Sequence, residues 1–138
     1  MDTVYDAPVT TGIDSTLFVK NQTLLWQVND SAGFKLSKPK NRGIDTMSAS
    51  NVVDLVNVNY DSIHIDYIKT SHDTVYIGIP HSERLTEKSG DTGAENFMAS
   101  TVYSLTEVKG IRFVNFEFKG GDHAMPGVYT RDDFKNFR

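Results

Sequence analysis

The residues best suited to chemistry in this sequence lie in one alternating stretch, residues 62–83. His64 and Asp66 stand two positions apart, so they would share one face of a strand, and His81 and Glu83 follow at the end of the same stretch. Imidazole and carboxylate groups are the ones that acid–base catalysis and metal binding use. These four side chains are therefore the candidates for a hydrolytic or ligand-binding site at the mouth of a hairpin.

The spacing around this stretch favours ordinary structural roles for the same residues. The chain has four histidines, and none of them forms a helical i, i+4 pair with another, whereas a zinc site needs three or four converging ligands. They are His64, His72, His81 and His123. Ser82 lies between His81 and Glu83, yet neighbours on an extended chain point to opposite faces and cannot form a triad by themselves. The sequence therefore predicts no catalytic residue, no metal and no cofactor.

Residues 91–94 (DTGA) match the signature of aspartic proteases, in which two carboxylates on rigid loops share one proton. An amphipathic helix follows here instead. Thr92 and Glu95 have the spacing of a capping box, in which each side chain accepts a hydrogen bond from the backbone amide of the other residue. The segment therefore predicts the beginning of a helix at Thr92.

A basic run, residues 35–42 (KLSKPKNR), lies inside an acidic chain whose net charge is −4. Such a run can contact an anionic partner, although most charge runs are simply solvated. Tyr76 is expected on the polar face of a hairpin, where its ring could contact a partner. The candidate partner-binding residues are Lys35, Lys38, Lys40, Arg42 and Tyr76.

Length and composition exclude several classes of protein. The 138 residues correspond to one domain with one core, and the acidic balance argues against a dedicated nucleic-acid binder. The chain contains no cysteine, which excludes disulfides and thiolate zinc sites. No stretch reaches the roughly 18 apolar residues of a membrane span, and no signal peptide opens the chain.

The first third of the chain predicts a leader followed by strands. Residues 1–15 show no sustained period and predict a flexible leader or tether, so a single domain is expected over residues 16–138. Residues 16–20 and 23–28 are short apolar and β-branched runs, which predict two strands and a possible hairpin. Residues 29–45 predict a long loop.

Residues 62–80 predict a hairpin, since apolar and polar residues alternate on both sides of a polar turn. A two-residue turn would divide the apolar side chains between the two faces, whereas a three-residue turn at 71–73 puts five of them on one face. We therefore expect the three-residue turn. The pairs it predicts are Lys69 with Val75, Tyr67 with Ile77 and Ile65 with Ile79.

Two helices and a further strand complete the expected order. Residues 48–60 predict a short helix capped by Ser48 or Ser50, and residues 92–109 predict a longer one with an apolar face and a glycine stop at Gly110. Residues 111–118 predict a strand, and the remainder an irregular segment or short edge strand. The order ββαββαβ predicts an α+β fold, a curved, mostly antiparallel or mixed sheet with two helices packed on one face.

Four segments of this order resemble the sporulation-and-germination (GerMN) domain family. The most specific is VYSLTEVKGIRFVNF, in which a helix, its stop and a strand follow one another. The likeness covers about residues 16–121. The segments are TLFVKNQTLLWQV, IHIDYIKTSHDTVYIGIP, ENFMASTVYSLTEVKG and IRFVNFEFKGG.

The resemblance implies an extracytoplasmic domain of the periplasm or cell envelope, often part of a lipoprotein and exported by a signal upstream of this sequence. It also implies assembly by side-to-side packing, and it carries over no catalytic residue. We therefore expect a non-enzymatic binding or assembly module whose partner is a protein, a second copy or an anionic envelope component. The alternative is a small envelope hydrolase or ligand-binding protein that uses the histidine and carboxylate residues of the 62–83 stretch.

Overall fold

The computed structural model describes residues 25–29, 35–39, 47–60, 63–82, 90–121 and 124–137. The leader predicted at 1–15 and the strand predicted at 16–20 lie outside these residues. A four-stranded mixed sheet and two helices form an α+β fold, as expected. The elements are β1 (Gln27–Asn29), β2 (Lys35–Ser37), α1 (Ala49–Asn59), β3 (Asp66–Ser71), β4 (Thr74–Gly78), α2 (Gly90–Leu105), β5 (Phe113–Glu117), β6 (Gly127–Tyr129) and a 3-10 helix (Arg131–Phe137).

The main sheet has the strand order β3-β4-β5-β6, and only its central pair, β4 and β5, is parallel. Parallel neighbours need a crossover, which α2 supplies. Along β4, Val75 and Ile77 are buried beneath the helices, whereas Tyr76 between them is half-buried on the opposite side. We call this opposite side the open face. The predicted strand at 111–118 is observed as β5, and β6 is the predicted short edge strand.

The register of the β3–β4 hairpin differs from the prediction near its turn. Tyr67 pairs with Ile77 as expected, but Thr70 rather than Lys69 stands opposite Val75. The turn has two residues instead of three. The predicted three-residue turn is therefore wrong.

A bulge reconciles the two-residue turn with a buried apolar face. Ile68 is the extra residue between the two halves of the ladder, and His72 in the turn has a φ of 57°. Because a bulge shifts the register by one residue, the apolar side chains still reach the core. Tyr67 is the exception, since it lies on the edge strand with 39% of its surface exposed. The side chains that are buried as predicted are Ile65, Val75, Ile77 and Ile79.

The first helix, α1, confirms its sequence prediction closely. Ser48 is the N-cap, and its hydroxyl accepts a hydrogen bond from the Asn51 amide at 3.2 Å. Four side chains of the predicted apolar face are buried, although valine is a weak helix former. They are Val52, Val53, Leu55 and Val56.

The second helix has different bounds from those predicted. It begins at Gly90, so Thr92 lies inside the first turn and the predicted capping box is wrong. The helix ends at Leu105 and not at Lys109, so the predicted end is wrong, and tight turns follow as far as Gly110. Gly110 has a φ of 87°, which confirms the predicted left-handed conformation, although it does not directly end the helix.

The second helix is also covered on two opposite sides rather than one. Val102 and Leu105 are buried as predicted, but Ser100 and Ser104 across the helix are buried as well. The chain at Trp26 covers them. The Trp26 amide donates to the Ser104 hydroxyl at 3.0 Å, and the Ser100 hydroxyl donates to the Trp26 carbonyl at 2.5 Å. The two serines therefore satisfy both backbone groups of one extended residue.

A second, two-stranded sheet lies where the sequence predicts a loop. β1 pairs antiparallel with β2, with Gln27 opposite Ser37. The strand predicted at 23–28 therefore finds a partner downstream, and the loop prediction for 29–45 is wrong at 35–37. The segment KLS has no sustained alternation, so only its tertiary neighbours select the strand conformation.

Candidate functional site

The predicted pair of His64 and Asp66 is present at the start of β3. His64 Nε2 lies 2.9 Å from Asp66 Oδ1, and the two side chains are 58% and 57% exposed. Asn57 of α1 fixes the backbone between them. Its Nδ2 donates to the Ile65 carbonyl and its Oδ1 accepts from the Ile65 amide, both at 2.8 Å. Because Ile65 points into the core, its two neighbours point to solvent on the same side.

The charged surroundings of this pair extend to α1. Burial raises the pKa of Asp54, and the charge of His64 opposes that rise. His81 is exposed, and Glu83 lies outside the described residues. In the part of the chain that the structure describes, no three histidine, aspartate or glutamate residues are grouped so that they could hold a metal ion. The pair lies on the exposed surface of the protein.

The other chemical motifs occupy structural positions. Ser82 is buried, and its hydroxyl donates to the Lys119 carbonyl at 3.1 Å, while His81 beside it is exposed. Residues 91–94 lie in the first turns of α2 and not on the rigid loop that aspartic-protease chemistry requires.

The structure separates the predicted partner-binding residues into two surfaces. Lys35 and Lys38 are exposed on and after β2, in the small sheet that packs against α2 on the helix side of the molecule. Lys40 and Arg42 lie outside the described residues. Tyr76 lies on the open face, where the Lys69 ammonium stands 4.8 Å from the centre of its ring.

The large apolar side chains that are exposed among the described residues lie at the two edges of the main sheet. Tyr67 and Ile68 on β3 are 39% and 46% exposed, Val128 on β6 is 59% exposed, and Met125 just before β6 is 60% exposed. Ile68 lies over Gly78 of β4, where an added Cβ would be 3.5 Å from its Cδ1 atom. The bulge therefore brings Ile68 onto the open face.

The middle of the open face is aromatic and polar. Phe113 is half-buried, with the Arg112 guanidinium 5.9 Å from the centre of its ring. Asn115 on the same strand donates through Nδ2 to Glu117 Oε2 at 3.2 Å. Tyr76 on β4 faces Asn115 across the parallel ladder. The open face thus combines aromatic rings with charged groups between two apolar edges.

A further cluster, which the sequence did not predict, surrounds Arg131 of the 3-10 helix. Its Nη2 donates at 2.9 Å both to Glu107 Oε2 and to the Tyr103 carbonyl, and its Nε donates to Thr106 Oγ1 at 2.8 Å. The guanidinium carbon lies 4.6 Å from the centre of the Tyr103 ring and 5.1 Å from that of Trp26. We call Trp26, Tyr103, Thr106, Glu107 and Arg131 the Arg131 cluster.

The carboxylate of Glu107 is shared inside this cluster. The indole Nε1 of Trp26 donates to Glu107 Oε2 at 2.9 Å, so this oxygen accepts from Trp26 and Arg131 together. Burial tends to raise the pKa of Glu107. Hydrogen bonds from Arg131 and Trp26 and the charges of Arg131 and Lys38 outweigh that tendency, so its pKa lies below the ordinary value.

One sequence signal points to this cluster in retrospect. The last turn of α2, residues 102–105 (VYSL), contains no lysine, arginine or histidine. The unpaired carbonyls at a helix C-terminus favour a nearby cation. Arg131, from 26 positions after the helix end, supplies that cation. The sequence shows that the last turn of α2 lacks a cationic residue, but it does not show that Arg131 takes that position.

No protein-family model matches this chain, and no curated protein or solved structure matches it. Across the described residues, neither helix has the length and apolar character needed to cross a bilayer.

Proposed function

We propose that this chain is a non-enzymatic binding or assembly module of a bacterial cell-envelope protein, and that it acts through the open face and edges of its main sheet. One observation supports the proposal most directly. The exposed large apolar side chains of the described residues lie at the edges of that sheet, at Tyr67, Ile68, Met125 and Val128. Apolar groups presented together with polar and aromatic ones are typical of protein-binding surfaces. The location in the envelope is supported by the resemblance to the GerMN family.

The edge strand β3 favours contact through side chains over extension of the sheet. A bulge interrupts its ladder at Ile68, and bulged edges pair poorly with a further strand. The same bulge places Ile68 on the open face, next to Gly78. A partner is therefore expected to lie against this face, with Ile68 and Val128 at opposite rims of the contact.

Sedimentation velocity over a range of concentrations tests the simplest partner, a second copy of the chain. The wild type is expected to associate, and the double variant Ile68→Ser/Val128→Ser is expected to sediment as a monomer, because it removes apolar area from the contact. The matched control, Asp54→Ser/Glu95→Ser, alters exposed residues of the helices and should associate like the wild type. A wild type that stays monomeric, or a control that dissociates equally, would count against self-association through this face.

The basic run, residues 35–42, is a second and independent candidate contact of the proposed module. Lys35 and Lys38 are exposed on the helix side of the molecule, where an anionic envelope component could reach them. The variant Lys38→Glu/Lys40→Glu is expected to weaken sedimentation with vesicles rich in phosphatidylglycerol. Lys109→Glu/Lys119→Glu makes the same change of charge at two exposed lysines outside the basic run and should bind like the wild type. Equal losses in both variants would show a general charge effect without a dedicated site.

The hydrogen-bonded His64 and Asp66 are the observation that favours the alternative, a small hydrolase. A histidine oriented by a carboxylate can act as a general base. Activated esters are the appropriate probe, with His64→Gln compared with His72→Gln, which changes an exposed histidine in the turn. Hydrolysis that His64→Gln abolishes and His72→Gln preserves would support the hydrolase. Equal rates in all three proteins would support the binding module.

A further inference from the structure

The surroundings of Arg131 satisfy a guanidinium group from several directions at once. Its nitrogens donate to a carboxylate, a main-chain carbonyl and a hydroxyl, at Glu107, Tyr103 and Thr106. The aromatic rings of Trp26 and Tyr103 lie within cation–π distance of the guanidinium carbon. Such a set of acceptors and rings resembles a binding site for a planar cation more than an incidental surface ion pair.

Two elements build these surroundings, and neither is the 3-10 helix that carries Arg131. Tyr103 lies in the last turn of α2, and Thr106 and Glu107 lie in the turn that directly follows the helix. Trp26 belongs to the segment before β1, and its backbone is tied to α2 through Ser100 and Ser104. Its indole also donates to Glu107. The acceptors and rings are therefore held in place by contacts that do not involve Arg131.

The rings in this site are also fixed relative to each other. Their centroids are 4.9 Å apart, and the planes of Trp26 and Tyr103 meet at 57°. Both side chains are buried. A cation that enters the site would therefore meet preorganised rings, which reduces the entropy lost on binding.

The chemistry of the site selects guanidinium over other cations. Its three oxygen acceptors lie around one planar group, which suits a fork of N–H donors better than the compact charge of an ammonium group. A guanidinium is also less strongly hydrated than an ammonium and stacks well on aromatic rings. Access from solvent is open, since the Arg131 side chain is 32% exposed.

We propose that Trp26, Tyr103, Thr106 and Glu107 form a guanidinium-binding site that Arg131 fills in cis and that accepts a guanidinium group in trans when Arg131 is removed. The 3-10 helix therefore supplies an intramolecular ligand, the Arg131 side chain, to this site. An arginine side chain from a partner is the kind of group that would compete for the same place.

Chemical rescue of Arg131→Ala tests this proposal directly. The variant is expected to have a lower Tm than the wild type, and guanidinium or methylguanidinium at millimolar concentration is expected to raise that Tm by several degrees in a saturable way. Urea, which has the shape but not the charge, and ammonium, which has the charge but not the shape, should rescue poorly. The wild type, with its site filled, should show no such rise.

Two further variants separate this site from general salt effects. Arg112→Ala removes an exposed arginine that also stands beside an aromatic ring, so guanidinium should not raise its Tm. Adding Glu107→Gln to Arg131→Ala should abolish the rescue, because the carboxylate is lost with little change of shape. Rescue that is equal in Arg112→Ala, or that survives Glu107→Gln, would overturn the proposal, as would a folded Arg131→Ala that guanidinium does not stabilise.

An unfolded Arg131→Ala leaves the test intact. Recovery of the helical circular-dichroism signal on addition of methylguanidinium, and not of urea, then becomes the measurement. Arg131→Gln serves as the second variant, since it keeps part of the side chain and removes the charge. Absence of rescue in both variants would show that Arg131 acts only as part of its own segment.

Discussion

At the scale of single residues, the stability of this protein depends on polar side chains that bond the backbone of another element. Asn57 is the clearest example, because its amide group satisfies both the donor and the acceptor of Ile65. Ser100 and Ser104 do the same for Trp26 as a pair. A buried backbone group that loses its partner costs more than the net value of the bond, because its desolvation is no longer compensated.

Asn57→Ala is expected to lower the free energy of unfolding by about 1–3 kcal/mol, since it leaves both backbone groups of Ile65 without their partner. Urea denaturation measures this change. Asn51→Ala is the matched control on the same helix, where the hydrogen bond to Ser48 uses only the backbone amide of Asn51. The control should stay near wild-type stability. Equal losses in both variants would contradict the role given to the Asn57 side chain.

Glu107 predicts a dependence of stability on pH. Its pKa is below the ordinary value of 4.5 in the folded protein, because Arg131 and Trp26 stabilise the carboxylate more than burial destabilises it. A lowered folded pKa contributes stability above the unfolded pKa, and this contribution disappears as the pH falls through the folded value. The wild type should therefore exceed Glu107→Gln in Tm at neutral pH by a margin that shrinks in acid. A margin that is constant with pH would contradict this.

At the scale of elements, the contacts of α2 decide how the molecule is assembled. The helix is covered by the main sheet and α1 on one side and by the segment at Trp26 on the other, which its single predicted apolar face does not reveal. Small polar residues make the second contact possible, since serine lets a strand approach closely and then bonds its backbone. This contact positions the Arg131 cluster at the end of the helix.

Ser104→Ala is expected to loosen the segment at Trp26, because the buried Trp26 amide loses its acceptor. The expected loss of stability is about 1–3 kcal/mol. Trp26 is the only tryptophan of the chain, so its fluorescence reports the change directly as a shift to longer wavelength in the native state. Thr106→Ser keeps a hydroxyl at the same end of the helix and should leave the emission unchanged. An unshifted spectrum for Ser104→Ala would argue against this contact.

The stop after α2 predicts a second effect at this scale. Gly110 has a φ of 87°, and no atom beyond its two chain neighbours lies within 4 Å of the position that a Cβ would take. Any cost of a substitution is therefore conformational. Gly110→Ala is expected to lower stability by about 1–2 kcal/mol, and Gly110→Asn by less, because asparagine tolerates the left-handed region. Thermal denaturation measures the stabilities of the two variants. A Gly110→Asn variant that is less stable than Gly110→Ala would contradict the role given to the left-handed conformation.

At the scale of the whole molecule, the core lies between the main sheet and its helices, while the described residues on the opposite face of the sheet are half-buried or exposed. Leu105 is fully buried, whereas Val128 is 59% exposed on an edge strand. Leu105→Ala is expected to cost about 2–5 kcal/mol in the free energy of unfolding. Val128→Ala should cost little, since the side chain is already in contact with water. Comparable losses would mean that β6 is covered by something that packs on its outer side.

The sequence predicts the parts of this fold that rest on local signals. α1 appears where an N-capping serine precedes apolar residues at helical spacing, and Gly110 has the left-handed conformation predicted for it. β4 has its expected alternation, with buried residues between half-buried ones. These features follow from backbone sterics and from the period of the hydrophobic pattern, both of which are properties of a short segment.

The candidate sites also differ in whether local sequence signals predict them. The sequence predicts His64 and Asp66 on one side of the chain, because their spacing of two determines this in any strand. It does not predict the Arg131 cluster, whose members come from three separate segments. It also treats Tyr76 and the basic run as one set of binding residues, whereas the fold puts Tyr76 and Lys38 on different sides.

The sequence by itself determined the class of the fold, the helix at Ser48 and the apolar faces of the strands, because burial follows from local periodicity. Only the tertiary structure decided that Lys35–Ser37 is a strand, that Ile68 bulges out of the β3–β4 ladder, and that α2 is covered on two sides. The strand and the bulge depend on pairing with a neighbouring strand, and the second cover of α2 depends on hydrogen bonds to Trp26, which is 74 and 78 positions away from Ser100 and Ser104. The sequence shows which groups need hydrogen-bond partners, but the packing of the elements determines which residues become those partners.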